Sequence, residues 1–290
     1  MKTRPSIKEF VQQLYSIWVT ERPGQLAAAL AYYGMFAFAP VIFIMLWFAG
    51  LFLDQISAAD QFFARIEAFF GPEVSMFIQD SVEAIGQSTS EASIIATLIS
   101  IGALLMAASG LFYQLLFSLN KIWDLPAPER GQTSGMIRQR LFSFLMVIGV
   151  GLLFVAASLV NIVITWFASL LELGPTMPVL SILVFLGLTT LAFALIYKIL
   201  PEAHIRWRDV WIGAFVTAIL VAVTLFLFGA YLNRGNIGNA FEAAGAFAVL
   251  LIGIYTIAQV FLFGAMFTRV YSESYGSRSF EKNSADNPSD

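Results

Sequence analysis

The chain has 290 residues, 59% of them apolar and only 12% charged, with a mean hydropathy of +0.79. A soluble domain carries about twice that charged share, so composition excludes a soluble globular enzyme and makes lipid the main solvent. A formal net charge of -3 leaves no basic surplus for a nucleic-acid partner, zero cysteines remove disulfides and thiolate metal sites, and the single His204 leaves no histidine-rich metal cage, so no cofactor or metal is expected.

Residues 1–25 form an N-terminal segment in which Ile7, Phe10, Val11, Leu14, Ile17 and Trp18 recur at helical spacing, with Lys8, Glu9, Gln12 and Gln13 opposite. The pattern predicts a short amphipathic helix lying along the inner membrane surface. The first apolar run begins only at Leu26 and is too long for the h-region of a signal peptide. Six stretches, near 26–53, 92–118, 141–168, 178–197, 210–232 and 243–268, carry no Asp, Glu, Lys or Arg. Each reaches the roughly 20 residues that cross about 30 Å of hydrocarbon as a helix. The expected fold class is therefore all-α, a polytopic bundle of six transmembrane helices spanning 26–268.

Between the first two spans, residues 54–91 place apolar residues such as Phe62, Phe69, Phe70, Phe77 and Ile78 among seven acids and one base, Arg65. This reads as an external pair of amphipathic helices broken at Gly71-Pro72, resting on the bilayer or capping the bundle. Residues 269–290 read as a disordered cytoplasmic tail. Fourteen of the 16 Lys and Arg fall in the N-terminal segment, the second and fourth connections and the tail, and only Arg65 and Arg234 on the other side. The positive-inside bias then puts both termini in the cytoplasm, and Trp47, Trp123, Trp166, Trp207 and Trp211 fall where an interfacial belt belongs.

No P-loop, dinucleotide fingerprint, nucleophile elbow, metalloprotease motif or paired-carboxylate constellation is present, so enzymatic activity is not expected. The spans hold no ionisable acid or base, which disfavours ion coupling at depth. What remains there is neutral polarity: Tyr32, Tyr33 and Pro40, then Gln114, Asn161, Thr189 and Thr190, and Gln259. Two readings stand: interhelical hydrogen bonding that ties the bundle together, or a polar-lined groove for an amphiphile. Pro40 should bend the first span under either. On the inner face, Asn120, Lys121 and Trp123 end the second span, Arg138 and Arg140 precede the third, and Lys198, Pro201, His204, Arg206 and Arg208 join the fourth to the fifth. These serve topology and attraction to anionic headgroups, or form a basic vestibule for a phosphate-bearing lipid.

At these residues the sequence resembles a known family. Ala27-Ala28-Ala29-Leu30-Ala31-Tyr32-Tyr33 with Ala39-Pro40, Leu119-Asn120-Lys121-Ile122-Trp123, Lys198-Ile199-Leu200-Pro201, Trp207-Arg208-Asp209-Val210-Trp211-Ile212-Gly213-Ala214 and Tyr231-Leu232 closely resemble the YihY/BrkB family of bacterial inner-membrane proteins, in the expected order from about residue 20 to 270. The resemblance implies a six-span cytoplasmic-membrane protein linked to envelope integrity, virulence or export. Where relatives often end the last span with Gly-Ala-Glu, this chain reads Gly264-Ala265-Met266. A ribonuclease label attached to some members of that family finds no support here, because phosphodiester hydrolysis needs a carboxylate cluster or an acid-base histidine pair. The leading expectation is transport or flipping of a lipid or other amphiphile, with membrane lipids as partners. The alternative is a scaffold that gathers envelope-assembly proteins through 54–91.

Overall fold

Ser6 starts the first helix. Its hydroxyl accepts from the Glu9 amide at 3.3 Å while the Glu9 carboxylate accepts from the Ser6 amide at 3.0 Å, a reciprocal cap that satisfies two otherwise orphaned donors. Helix α1 (Ile7–Glu21) ends at Arg22 in the left-handed region, φ 48°, and Pro23 opens α2 (Pro23–Ala49), where a missing amide costs nothing. The computed structural model describes residues 6–49, 55–90, 110–125, 149, 177–201, 203, 205–234 and 242–276. The remaining helices among these residues are α3 (Gln55–Phe70), α4 (Pro72–Ser90), α5 (110–122), α6 (Met177–Ile199), α7 (Trp207–Arg234) and α8 (Glu242–Ser274).

The described residues contain no strand, as an all-α expectation requires. Among the described residues, three stretches are long and apolar enough to cross a membrane: Ile182–Ile199, Trp207–Leu232 and Gly245–Ser274. They coincide with the fourth, fifth and sixth expected spans. The first falls on α2, which continues as a helix through Pro40. Only 110–118 of the second and Gly149 of the third lie among the described residues. The last helix outruns its expected end at 268: residues 269–274, expected in the tail, are helical to Ser274, because Val270 and Ser272 are buried against the bundle and Arg269 pairs with Glu273 at 3.0 Å.

Helix α8 is the hub, packing against α1, α2, α3, α4 and α7, while α7 also packs along α6. The α7–α8 crossing is antiparallel and interlocked. Gly213 of α7 faces Thr268 of α8, and Gly264 of α8 faces Thr217 of α7, so each helix seats its threonine in the gap left by the other's glycine. Both hydroxyls turn back onto their own helix, Thr217 Oγ1 donating to Gly213 O at 2.8 Å and Thr268 Oγ1 to Gly264 O at 2.7 Å. Small residues four apart let backbones approach closely where hydrophobicity supplies no drive for association.

Two apolar clusters form at opposite ends. One joins α2, α5, α6, α7 and α8 through Leu26, Leu119, Ile122, Trp123, Tyr197, Val210 and Met266; we call this the basic end. At the other, the α3–α4 pair turns sharply at Gly71, whose φ of 87° suits only glycine without strain. Its apolar face, Phe70, Val74 and Ile78, is buried against Ile42 and Leu46 of α2 and Ala246, Val249 and Leu250 of α8. The Phe70 ring lies over Gly253, 2.6 Å from where a Cβ would stand, and 5.7 Å from the Phe228 ring. Of the two placements open to residues 54–91, the described part caps the bundle, and its acids Asp60, Glu67, Asp80 and Glu83 are exposed.

Candidate functional site

Residues 119–123, 198–201 and 207–214, three of the segments that set this sequence apart from a generic bundle, meet at the basic end. Helix α5 closes in a left-handed turn at Asp124, φ 56°, with the Leu125 amide donating to Asn120 O at 2.9 Å and the Asp124 amide to Lys121 O at 3.1 Å. These two bonds cover carbonyls that the helix end would leave orphaned. A third, Ile122 O, accepts from Arg269 Nη1 of α8, whose Nε holds Glu273. Residues 119–123 are thus fastened to the last turns of α8, with Leu119, Asn120, Ile122 and Trp123 buried and only Lys121 turned outward.

The α6–α7 connection is tied in the same way. Lys198 Nζ donates to Ile205 O across the loop and stands 5.9 Å from the centre of the Trp207 ring, a cation over an aromatic face. Within the loop, Leu200, Pro201, Ala203 and Ile205 turn inward. Asp209, in the first turn of α7, is buried beneath the end of α8, where a Cβ at Gly276 would fall within 2.7 Å of both carboxylate oxygens. Only glycine admits that approach. Arg206, Trp207, Arg208 and Trp211 remain exposed at the start of α7, as does Lys121 near the end of α5, giving the basic end exposed cationic and aromatic side chains. From it an exposed apolar track, Phe215, Ile219, Val223, Phe226 and Leu227, runs up α7 to Tyr231. Trp211 and Tyr231 lie about 30 Å apart along the helix, the thickness of the hydrocarbon layer.

Tyr32 is exposed, edge-on to Tyr33 at 5.5 Å and Phe36 at 5.1 Å, while the Tyr33 ring packs over Gly110, 2.9 Å from the position of a Cβ. Gln114 Nε2 donates to Ser118 Oγ on its own helix at 3.4 Å, and Thr190 Oγ1 to Leu186 O at 2.6 Å. Thr189 and Gln259 are half-buried on α6 and α8. Pro40 lies within α2, whereas Asn161, Arg138, Arg140 and His204 lie outside the described residues. Of the expected headgroup contacts, Lys121 and Arg208 face outward and Lys198 is half-buried, while the burial of Asn120, Trp123 and Pro201 makes packing their visible role.

One interhelical polar link among the described residues is built on Tyr197, a residue not among the expected site residues. Fully buried, its hydroxyl donates to Phe261 O at 2.7 Å and stands 3.1 Å from Thr217 Oγ1, bringing α6, α7 and α8 together at the Gly264 contact. Phe193 and Phe261 flank its ring at 6.2 and 5.2 Å. The sequence shows only a tyrosine closing the charge-free run 178–197, the usual place of an interfacial anchor. Met266, where the resemblance leads one to expect Glu, is fully buried among Leu262, Ala265 and Ile122 in a cluster that solvates no carboxylate.

Known membrane proteins resemble the chain along most of its length. A UPF0761 membrane protein of Saccharophagus degradans is 24% identical over 281 residues, covering 94% of this chain and 63% of its own length. A namesake in Pseudomonas paraeruginosa is 26% identical over 267 residues, covering 89% and 61%. A third, in Chromobacterium violaceum, is 35% identical over 108 residues, covering 36% and 23%. The chain thus spans about three fifths of the length of the first two relatives. No solved structure matches it. The model of the family described as virulence factor BrkB matches residues 15–288, and the chain is an integral membrane protein belonging to that family.

Proposed function

We propose that this protein moves a lipid or another amphiphile across the bacterial cytoplasmic membrane, with both termini inside, in support of envelope integrity. On this reading it needs neither enzymatic chemistry nor a cofactor. The carrying observation is the exposed Arg206, Trp207, Arg208 and Trp211 at the start of α7, from which the exposed apolar track of the same helix continues. Guanidinium groups suit a phosphate oxygen, indole rings suit the headgroup zone, and the track suits an acyl chain. Transfer of fluorescent phosphatidylglycerol between leaflets of reconstituted vesicles tests the reading. Flipping faster than in protein-free vesicles, and slowed in an Arg206→Gln/Arg208→Gln variant that still inserts, is expected. Rates equal to protein-free vesicles under several ion gradients would sink it.

A scaffold role is the second reading, and the exposure of Asp60, Glu67, Asp80 and Glu83 on an ordered cap favours it. Because the cap's other face is part of the core, deleting it would damage the bundle. Neutralising those four acids is the cleaner test: a scaffold would lose its crosslinked envelope partners while lipid transfer stayed unchanged.

A further inference from the structure

Helix α1 presents three faces. Phe10, Leu14, Ile17, Trp18 and Glu21 are partly covered, four of them by the bundle's aromatic and aliphatic core. Lys8, Gln12, Ser16 and Thr20 are exposed and polar. Between these faces runs a second apolar stripe, spaced by four residues and left uncovered: Ile7, Val11, Tyr15 and Val19, at 80%, 55%, 69% and 54% exposure. A water-surrounded helix gains nothing from such a stripe.

The contacts of α1 fix its course. The Phe10 ring lies 5.4 Å from Phe267 and 5.9 Å from Tyr275, Gln13 Oε1 accepts from Ser274 Oγ at 3.2 Å, and the Trp18 ring lies 5.9 Å from Phe263. Phe263, Phe267 and Tyr271 of α8, with Tyr275 just past its end, recur every four residues along one face, Phe267 stacked on Tyr271 and Tyr271 tilted against Tyr275. As α1 proceeds from Phe10 to Trp18, its partners move from the end of α8 back toward its middle. Phe263 lies about 18 Å along the helix from Tyr275 and well inside the apolar stretch Gly245–Ser274.

We infer that α1 enters the leaflet at the basic end obliquely, with Ile7, Val11, Tyr15 and Val19 against acyl chains and Val19 the deepest. This differs from a helix lying flat on the surface. The occupant is lipid because the stripe flanks an apolar span on one side and a polar, water-facing sector on the other. Four side chains of one 15-residue helix also fall far short of the roughly 800 Å² per partner that a stable contact with a second copy needs.

The chain has no cysteine, so single cysteines can be placed without background. Ile7→Cys, Val11→Cys, Tyr15→Cys and Val19→Cys, with Gln12→Cys and Ser16→Cys as the polar face, are each coupled to a nitroxide in full-length protein reconstituted in phosphatidylethanolamine–phosphatidylglycerol vesicles. Relaxation by oxygen and by a water-soluble nickel chelate then reports depth. The oxygen-to-nickel ratio is expected to rise severalfold from position 7 to position 19 and to stay low at 12 and 16. A uniform ratio along the stripe would mean a flat helix, nickel access throughout a water-facing one, and protection from both reagents a second protein. Each of these results overturns the inference. The gradient is readable from any three stripe positions, so loss of one variant does not remove the test.

Discussion

Replacing Gly264 by alanine tests whether the α7–α8 interlock holds the bundle together. The new Cβ would stand 2.7 Å from Tyr197 OH and 2.9 Å from Thr217 Cβ, and closer still to Thr217 Oγ1, where carbon contacts normally settle at about 3.5–4.0 Å. Thr217 cannot rotate away freely, since its hydroxyl donates to Gly213 O at 2.8 Å and meets Tyr197 OH at 3.1 Å. Either the helices part or this link breaks. Overpacking of this kind costs about 1–3 kcal/mol, and an interhelical hydrogen bond in a membrane protein about 0.6–1.7 kcal/mol. The expected loss is therefore roughly 2–4 kcal/mol, measured as unfolding in mixed micelles followed by near-ultraviolet circular dichroism. Thr217→Ala on the same background removes the hydroxyl and should recover part of it, with a coupling of about 1 kcal/mol or more. The mirrored pair, Gly213→Ala with Thr268→Ala, should behave alike. A Gly264→Ala protein within about 0.5 kcal/mol of wild type, or strict additivity in the double variant, would refute the reasoning.

Phe70→Ala removes a ring buried between Gly253 and Phe228, a truncation that costs about 3–5 kcal/mol in a packed core. The expected readout is local, with faster amide exchange in α3 and α4 and little change in α6 to α8. Arg269→Ala leaves Ile122 O and Glu273 without their donor and should lower stability by about 1–3 kcal/mol. Arg269→Lys should recover only part of this in thermal unfolding, because one ammonium cannot reproduce the geometry of the guanidinium fork.

Single-residue physics made the helices legible. The charge-free runs place α6, α7 and α8 to within a few residues at their starts, and the Gly71-Pro72 break falls between α3 and α4. The spacing of Phe10, Leu14, Ile17 and Trp18 marks the docked face of α1. Contacts that depend on the register between helices were not legible. Gly213 and Thr217 form a small-residue pair on inspection, as do Gly264 and Thr268, but that each glycine receives the other helix's threonine follows only from the antiparallel alignment. Tyr197 bonds a carbonyl 64 residues away, and no local pattern announces that. Asn120, Trp123 and Pro201 sit at span ends, where interfacial duty is the ordinary inference, yet the Asp124 turn and the Lys198 tie fold them inward. The end of the last span was misjudged because Arg269 and Glu273 look like a tail when read singly and like a helical pair when read four apart.

The same contacts bear on how an amphiphile could move. Around Tyr197, Thr217 and Gly264 the interfaces of α6, α7 and α8 are closed by direct polar and steric contact, and Met266 fills the position where an acid was expected. A charged headgroup passing between those helices would have to break the Tyr197 link and part the interlock without any buried counter-charge. A headgroup moving outside them would leave that link and the interlock intact: it would start at Arg206 and Arg208, while its acyl chains lie along the exposed apolar face of α7. On the transport reading, the tight α7–α8 crossing is then a rigid rail rather than a gate. Loosening it should cost stability before it changes the rate of lipid transfer, whereas loss of Arg206 and Arg208 should slow transfer and leave stability intact.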